Sequence, residues 1–431
     1  MTVDPSVVPG LLFLLAELVA LAGVGYVIVR VALREKDDRV ALAQGLVVGP
    51  AIWGVVVNLM MYALPGMNGA IAGWIFVFVL AAVLIWRSPE SIRPRLRVTA
   101  LFAVATLALF WGGLASRQTL GIIDVDLHLG LAASIRAGLF PPELPWSPGT
   151  PVAYHYGGDM LNGILAPPSG PDPAFLYELL SVYAWMSLVL VVATTLLKRS
   201  FLFVVAIATP LMLTASRLQT AVLTGIPTAG FVKSLVDIFW PWSELVEMSV
   251  ADALPNVEKP TFTLSYALAF VVLAHASSAR RRSWPMVITL AALIGFIGLM
   301  STSVVPIVSV LWAGLEAIHF LRSRRVGSLH YGDVVRSATG LALALLLLLA
   351  GGFSTIILGD SASSVLSIEW RGMAGWSLLG TLHQLPGSVA LLAPGSLAVA
   401  GMAVLLARRD RLVLALAGGG GAFCWFSLRG Y

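Results

Sequence analysis

Charge is scarce in this sequence and cysteine almost absent. Only 11% of its 431 residues are Asp, Glu, Lys or Arg, against about 25% in a soluble domain. With 58% hydrophobic residues and a mean hydropathy of +0.90, the composition excludes a soluble globular domain and makes lipid the main solvent. The single cysteine, Cys424, excludes an internal disulfide and a cysteine-built metal site. The net charge of +5 is spread over short basic runs between apolar segments, which is a topology signal and not a nucleic-acid patch. Those basic residues are nearly all arginine in an Ala/Gly/Leu/Val-rich background, as in GC-rich bacterial genomes. The start, MTVDPSVVPG, lacks a basic n-region, so the first apolar stretch is expected to stay as a helix. No internal repeat, low-complexity tail or soluble terminal domain is expected.

What the chain does have is apolar runs. A helix needs about 17–25 such residues to cross a bilayer. By that criterion the sequence predicts an all-α, polytopic transmembrane bundle of about twelve spans: 9–33, 40–64, 70–86, 97–115, 175–197, 201–215, 262–278, 286–300, 304–321, 338–358, 389–407 and 412–428. The pair meeting at 301–303 also fits one bent unit. Short basic connections (34–39, 87–97, 198–199, 280–282, 322–336 and 408–411) alternate with connections poor in Lys and Arg. The positive-inside rule then puts the N-terminus outside, and with it three long loops, 116–174, 217–261 and 359–388. Connections in compact proteins usually run about 2–8 residues, so three long ones on one face suggest a built site. The expected division is an N-terminal three-span segment, 1–96, and a core, 97–431.

The polar groups concentrate in IDVDLHLGLAASIRAGLFPPELPWSPGTPVAYHYGGDMLNGIL, residues 123–165, which holds Asp124, Asp126, Asp159, His128, His155, Glu143 and Arg136. Asp124 sits at an N-cap position and Asp126 in the first turn, where the positive helix end favours anions. Gly138 is placed as a stop, followed by Pro141-Pro142. Leu127, Leu131 and Ile135 form an apolar stripe, predicting a short helix lying on the membrane surface. Residues 140–156 are rich in proline and aromatics and are expected to be rigid and extended. If a second helix begins at His155, that residue shares a face with Asp159 at i, i+4.

Capping alone accounts for an Asp-x-Asp pair in many helices. The alternatives are a general base and a divalent-ion ligand set, Mg or Mn, drawn from Asp124, Asp126, His128 and Asp159. Interfacial hydrogen bonding is the plainer role for His128 and His155, because zinc wants three or four convergent ligands.

A multi-spanning chain with Asp-x-Asp in its first large outer loop, followed by a surface helix, resembles the GT-C glycosyltransferase superfamily. Within it, Phe140-Pro141-Pro142-Glu143-Leu144-Pro145-Trp146, Gly149-Thr150-Pro151 and Tyr154-His155-Tyr156-Gly157 look like the "YYY" group of bacterial and archaeal membrane proteins. That group carries a Pro-Pro-Glu…Pro-Trp…Gly stretch and a tyrosine triplet; here His155 replaces the middle tyrosine. The resemblance implies a polyprenyl-phosphate sugar donor, a catalytic aspartate on this loop and an active site on the outer face of the cytoplasmic membrane. The acceptor would be an envelope glycan, lipid or protein.

Such a transfer needs a base for the acceptor hydroxyl and positive charge for the leaving phosphate. Asp124, Asp126 and Asp159 are the candidate bases, and two close carboxylates raise one another's pKa. Arg136, Arg217 and Arg371 are candidate phosphate partners because the guanidinium fork bonds two oxygens. His383 is a further contact, and His128, Glu143, Tyr154, His155 and Tyr156 complete the expected substrate-binding set. Snorkelling charges are the plain alternative for the arginines. Glu17 and Glu316 lie inside spans, where carboxylates are costly. Glu316 is expected to reach water at its helix end, and Glu17 to pair with Asn58. Two other functions fit a polytopic chain: a transporter or flippase of lipid-linked saccharides, and a scaffold for envelope assembly in which a partner subunit supplies acceptor recognition.

Overall fold

A computed structural model describes residues 8–88, 95–116, 125–144, 147–152, 155–165, 173–196, 198, 260–278, 282–301, 304–325 and 331–353. These residues are mostly helical. In chain order they form α1 (Val8–Val31), α2 (Asp38–Met61), α3 (Met67–Arg87), α4 (Leu96–Ser116), α5 (Val125–Arg136), a hairpin of β1 (Glu143–Leu144) and β2 (Ser147–Pro151), α6 (Gly157–Leu165) and α7 (Pro173–Val191). After these come α8 (Pro260–Ser277), α9 (Trp284–Met300), α10 (Val304–Arg325) and α11 (Tyr331–Leu348). Two π-helical turns extend helices: Val192–Leu196 follows α7 and Leu349–Phe353 follows α11.

Among the described residues, four helices are long and apolar enough to cross a membrane: Pro9–Val31, Asp38–Met61, Met67–Arg87 and Tyr331–Gly351. The chain is therefore a membrane protein. The expected spans at 201–215, 389–407 and 412–428 lie outside the described residues. The long helices run up and down between two ends. One, the basic end, holds the α1–α2 turn; the other, the site end, holds α5, the hairpin, α6 and the π turn after α11.

α2 is the central pillar, packing on α1, α3, α4, α6, α7, α8 and α9. Its start is fixed by Asp37, whose carboxylate accepts the Arg39 N–H at 2.9 Å, as an N-cap should. Arg39 also pairs with it at 2.7 Å, and this hydrogen bond holds the Asp37 carboxyl below its ordinary pKa. Along the α1–α2 seam the backbones nearly touch: a Cβ on Gly49 would meet the Leu21 carbonyl oxygen at 1.8 Å. Small residues let membrane helices approach this closely without help from a hydrophobic effect. Pro50 interrupts α2 and has no N–H to give the Leu46 carbonyl. The Tyr183 hydroxyl of α7 donates to that carbonyl at 2.5 Å instead, so a proline defect becomes a helix–helix tie.

The all-α expectation needs one amendment. Glu143 pairs with Pro151 and Leu144 with Ser147 in an antiparallel two-stranded ladder. Prolines at 141, 142, 145, 148 and 151 disfavour helix throughout this stretch, and the chain pairs strand to strand instead; Gly149 lies within β2, where the register shifts, and has a φ of +83°.

Candidate functional site

The site end is built on α5 and α6, which pack against each other and against α7. α5 ends after Arg136, and Gly138 follows at φ +91°. The Leu139 N–H returns to the Ser134 carbonyl at 3.0 Å, the closure expected of a left-handed C-terminal residue. α6 begins where the Met160 N–H meets the Tyr156 carbonyl at 2.8 Å. It is squeezed between neighbours: a Cβ on Gly157 would lie 2.8 Å from the Leu299 carbonyl, and one on Gly163 would lie 2.5 Å from the Ala132 carbonyl oxygen. Those glycines bring α6 deep enough that all nine of its residues are buried.

That depth sets the chemistry. Asp159, in the first turn of α6, is 0% exposed, and its Oδ1 lies 2.9 Å from Nδ1 of His128, which is 2% exposed, on α5. The other carboxylate oxygen, Oδ2, is buried and accepts no hydrogen bond among the described residues. Burial pushes the Asp159 carboxyl above its ordinary pKa, and the His128 hydrogen bond pulls it partly back. The His128 ring lies 5.7 Å from that of Tyr177 on α7. Asn162, one turn beyond Asp159, is also fully buried. An imidazole held by a buried carboxylate through Nδ1 has its tautomer and ring orientation fixed. A buried carboxylate with a spare oxygen can take a hydroxyl donor. Either property suits proton transfer.

An aromatic cluster gathers at the start of α6. Phe140 packs edge-on to Tyr62 at 4.9 Å and to Tyr156 at 6.0 Å between ring centroids. The Tyr156 hydroxyl, whose pKa burial drives well above its usual value, donates to Asn58 Oδ1 at 2.8 Å. Asn58 therefore serves the loop. Glu17, its expected partner, has an Oε2 that accepts no hydrogen bond among the described residues.

Several expected site residues take other roles. His155 precedes α6, so the i, i+4 pairing with Asp159 is replaced by His128, 31 positions away in sequence. Glu143 accepts the Gly149 N–H at 2.7 Å and so clasps the hairpin. Arg136 is half-buried in the last turn of α5, where a cation suits the helix end. Asp126 occupies the first turn of α5. Asp124, Tyr154, Arg217, Arg371 and His383 lie outside the described residues. Among the described residues no three His, Cys, Asp or Glu side chains converge on a metal position.

The pairing of His128 with Asp159 was the signal missed in the sequence. The buried face of α5 is His128, Leu131, Ala132 and Ile135, which keeps Leu131 and Ile135 of the expected stripe and puts His128 where Leu127 was expected. A histidine at i of an i, i+3, i+4, i+7 pattern is itself the clue. No protein-family model, curated protein or solved structure matches the chain.

Proposed function

We propose that this chain is an integral membrane glycosyltransferase of the GT-C type. It moves a sugar from a polyprenyl-phosphate donor to a hydroxyl acceptor on the outer face of the cytoplasmic membrane. The observation that carries this is the buried Asp159–His128 pair, with one carboxylate oxygen unclaimed among the described residues, at the end of the bundle that bears the first long loop. In the step proposed, the acceptor oxygen attacks the anomeric carbon while the bond from that carbon to the phosphate oxygen breaks. The acceptor proton passes to the Asp159–His128 pair, and the polyprenyl phosphate leaves with the bonding electrons. A single displacement of this kind inverts the sugar. General-base help of this sort contributes about 10²–10⁴-fold. Arg136 is the candidate phosphate partner on α5, with Arg217, Arg371 and His383 on the other long loops. Asp124 and Asp126 are the alternative bases.

The test is sugar transfer by the protein in nanodiscs, using a panel of polyprenyl-phosphate monosaccharides with and without a chelator. Asp159→Asn and an Asp124→Asn/Asp126→Asn double variant run beside the wild type. Transfer that disappears in Asp159→Asn while donor binding persists supports the assignment. Loss only in the double variant moves the base to α5. Failure to bind any lipid-linked sugar removes the donor assignment and favours transport.

A further inference from the structure

α2 is apolar along nearly all its length, yet it carries a buried amide near the site end. Asn58 is 2% exposed. It receives the Tyr156 hydroxyl on Oδ1 at 2.8 Å and donates from Nδ2 to the Ala350 carbonyl at 3.3 Å. The Tyr62 hydroxyl, one turn further along, donates to the same carbonyl at 2.8 Å. Each end of this node matters. Tyr156 supplies the carbonyl on which α6 starts, so its position sets the origin of the helix that carries Asp159. Ala350 lies in the π turn that extends α11. A π turn shifts the helical hydrogen-bond register and exposes carbonyls to outside donors, and such turns recur at functional sites.

A leucine at 58 would keep the same branched shape and suit lipid better. The amide is therefore explained by its two partners, which lie 98 and 292 positions away in sequence. α9 packs on α6 and on the π turn as well, but through apolar contact that can slide. Asn58 is directional: an acceptor for one segment and a donor for the other.

We propose that Asn58 is a positioning residue that couples the start of α6, and with it Asp159, to the π turn at the end of α11. Displacement of either segment is then felt by the other. The consequence for sugar transfer rests on the function proposed above, whereas the coupling itself does not.

Hydrogen exchange of the full chain in nanodiscs tests it, comparing wild type, Asn58→Leu, Tyr156→Phe and the double variant. Asn58→Leu is expected to speed exchange at both 156–165 and 348–353, by about fivefold for the loss of one net hydrogen bond. Tyr156→Phe deletes a single oxygen that does not touch Ala350; because that oxygen also meets the Tyr62 hydroxyl, which donates to Ala350, the comparison is made in a Tyr62→Phe background, where Tyr156→Phe should still speed exchange at 348–353. The double variant should not exceed Asn58→Leu, because the changes share one node. Additive effects, or a Tyr156→Phe change confined to 156–165, would overturn the coupling; Tyr156→Phe keeps the test alive if Asn58→Leu does not fold. Where transfer is measurable, Asn58→Leu should lower kcat with donor KM unchanged. A rise in KM alone would overturn the positioning role. Coupling intact in a protein that transfers no sugar would count against the transferase and leave this inference standing.

Discussion

Among the described residues, two buried carboxylates stand at opposite ends of the bundle, and their surroundings are built on opposite plans. At the basic end, Glu316 of α10 is saturated. Its Oε1 takes Arg282 at 2.8 Å and the Trp312 indole at 3.2 Å, and its Oε2 takes the Ser337 hydroxyl at 2.8 Å and Arg282 Nε at 3.3 Å. Arg282 in turn donates to the last carbonyls of α8, reaching Ala276 at 2.6 Å and His275 at 3.2 Å. At the site end, Asp159 has one donor, His128, and an Oδ2 with none among the described residues. A buried charge with every lone pair matched holds helices together and has nothing left to offer a ligand. A buried carboxylate with a spare oxygen is a poorer staple and a better site. On the function proposed above, the difference separates a structural carboxylate from a chemical one.

The sharpest way to break this comparison is to remove one partner from the saturated cluster. Glu316→Ala should leave Arg282 buried without its counter-charge and cost about 3–5 kcal/mol, read as a large fall in thermal stability in detergent. An Arg282→Met/Glu316→Leu double variant should recover most of that loss, since a well-packed apolar pair replaces a buried ion pair at little cost. If Glu316→Ala is no worse than Asp159→Ala, the two plans are not different.

Asp159→Asn is the converse case. It should cut transfer by about 10²–10⁴-fold while leaving stability unchanged or raised. Burial raises the folded-state pKa of Asp159, so the folded chain holds this proton more tightly than the unfolded one. Below the ordinary Asp range both states are protonated and the group costs nothing. As pH rises through that range the unfolded state ionises first, and stability falls until pH passes the raised folded value. Wild type should therefore lose stability across this window where the Asn variant does not, in paired melts from pH 4 to 8. A parallel pH dependence in both proteins would show that Asp159 does not titrate with folding.

His128→Asn sharpens the comparison from the other side. If His128 acts by orienting Asp159, the double variant with Asp159→Asn should be no slower than Asp159→Asn alone, because the two residues form one unit. Multiplying defects would assign His128 a separate role.

The helices were legible because lipid imposes one strong rule, a long apolar run, and the described helices begin and end within a few residues of those runs, α11 excepted. α11 starts at Tyr331, seven positions before the apolar run, because Asp333 and Arg336 pair along its first turns and continue the helix into polar sequence. What the sequence hid was pairing over distance. Arg282 reads as the end of a basic surface run, and nothing local says that it turns inward to a residue 34 positions away. Gln44 is a lone amide in an apolar run, yet its Oε1 accepts from His275 Nε2 at 2.8 Å and its Nε2 donates to the Thr195 hydroxyl, in the π turn after α7, at 3.2 Å. Proline and glycine marked the hairpin stretch as extended, and 143–144 and 147–151 are extended, but the pairing between them was hidden for the same reason. They announce a break in helix but do not name a partner strand.

The smallest effect is expected at Glu143, and it distinguishes clasp from contact. Its Oε2 accepts the Gly149 N–H at 2.7 Å across the hairpin, an exposed hydrogen bond that water can replace. Glu143→Gln retains an acceptor and should change neither stability nor transfer. Glu143→Ala removes it and should cost about 0.5–1 kcal/mol, loosening residues 143–152 toward limited proteolysis while leaving the α5–α6 packing intact. Transfer should follow the hairpin, falling in the alanine variant only as far as proteolytic protection falls. A glutamine variant that keeps its protection but loses transfer would mean that the carboxylate itself meets the substrate. The line between structural and chemical carboxylates would then have to be drawn through the hairpin, and saturation by hydrogen bonds would no longer suffice to tell them apart.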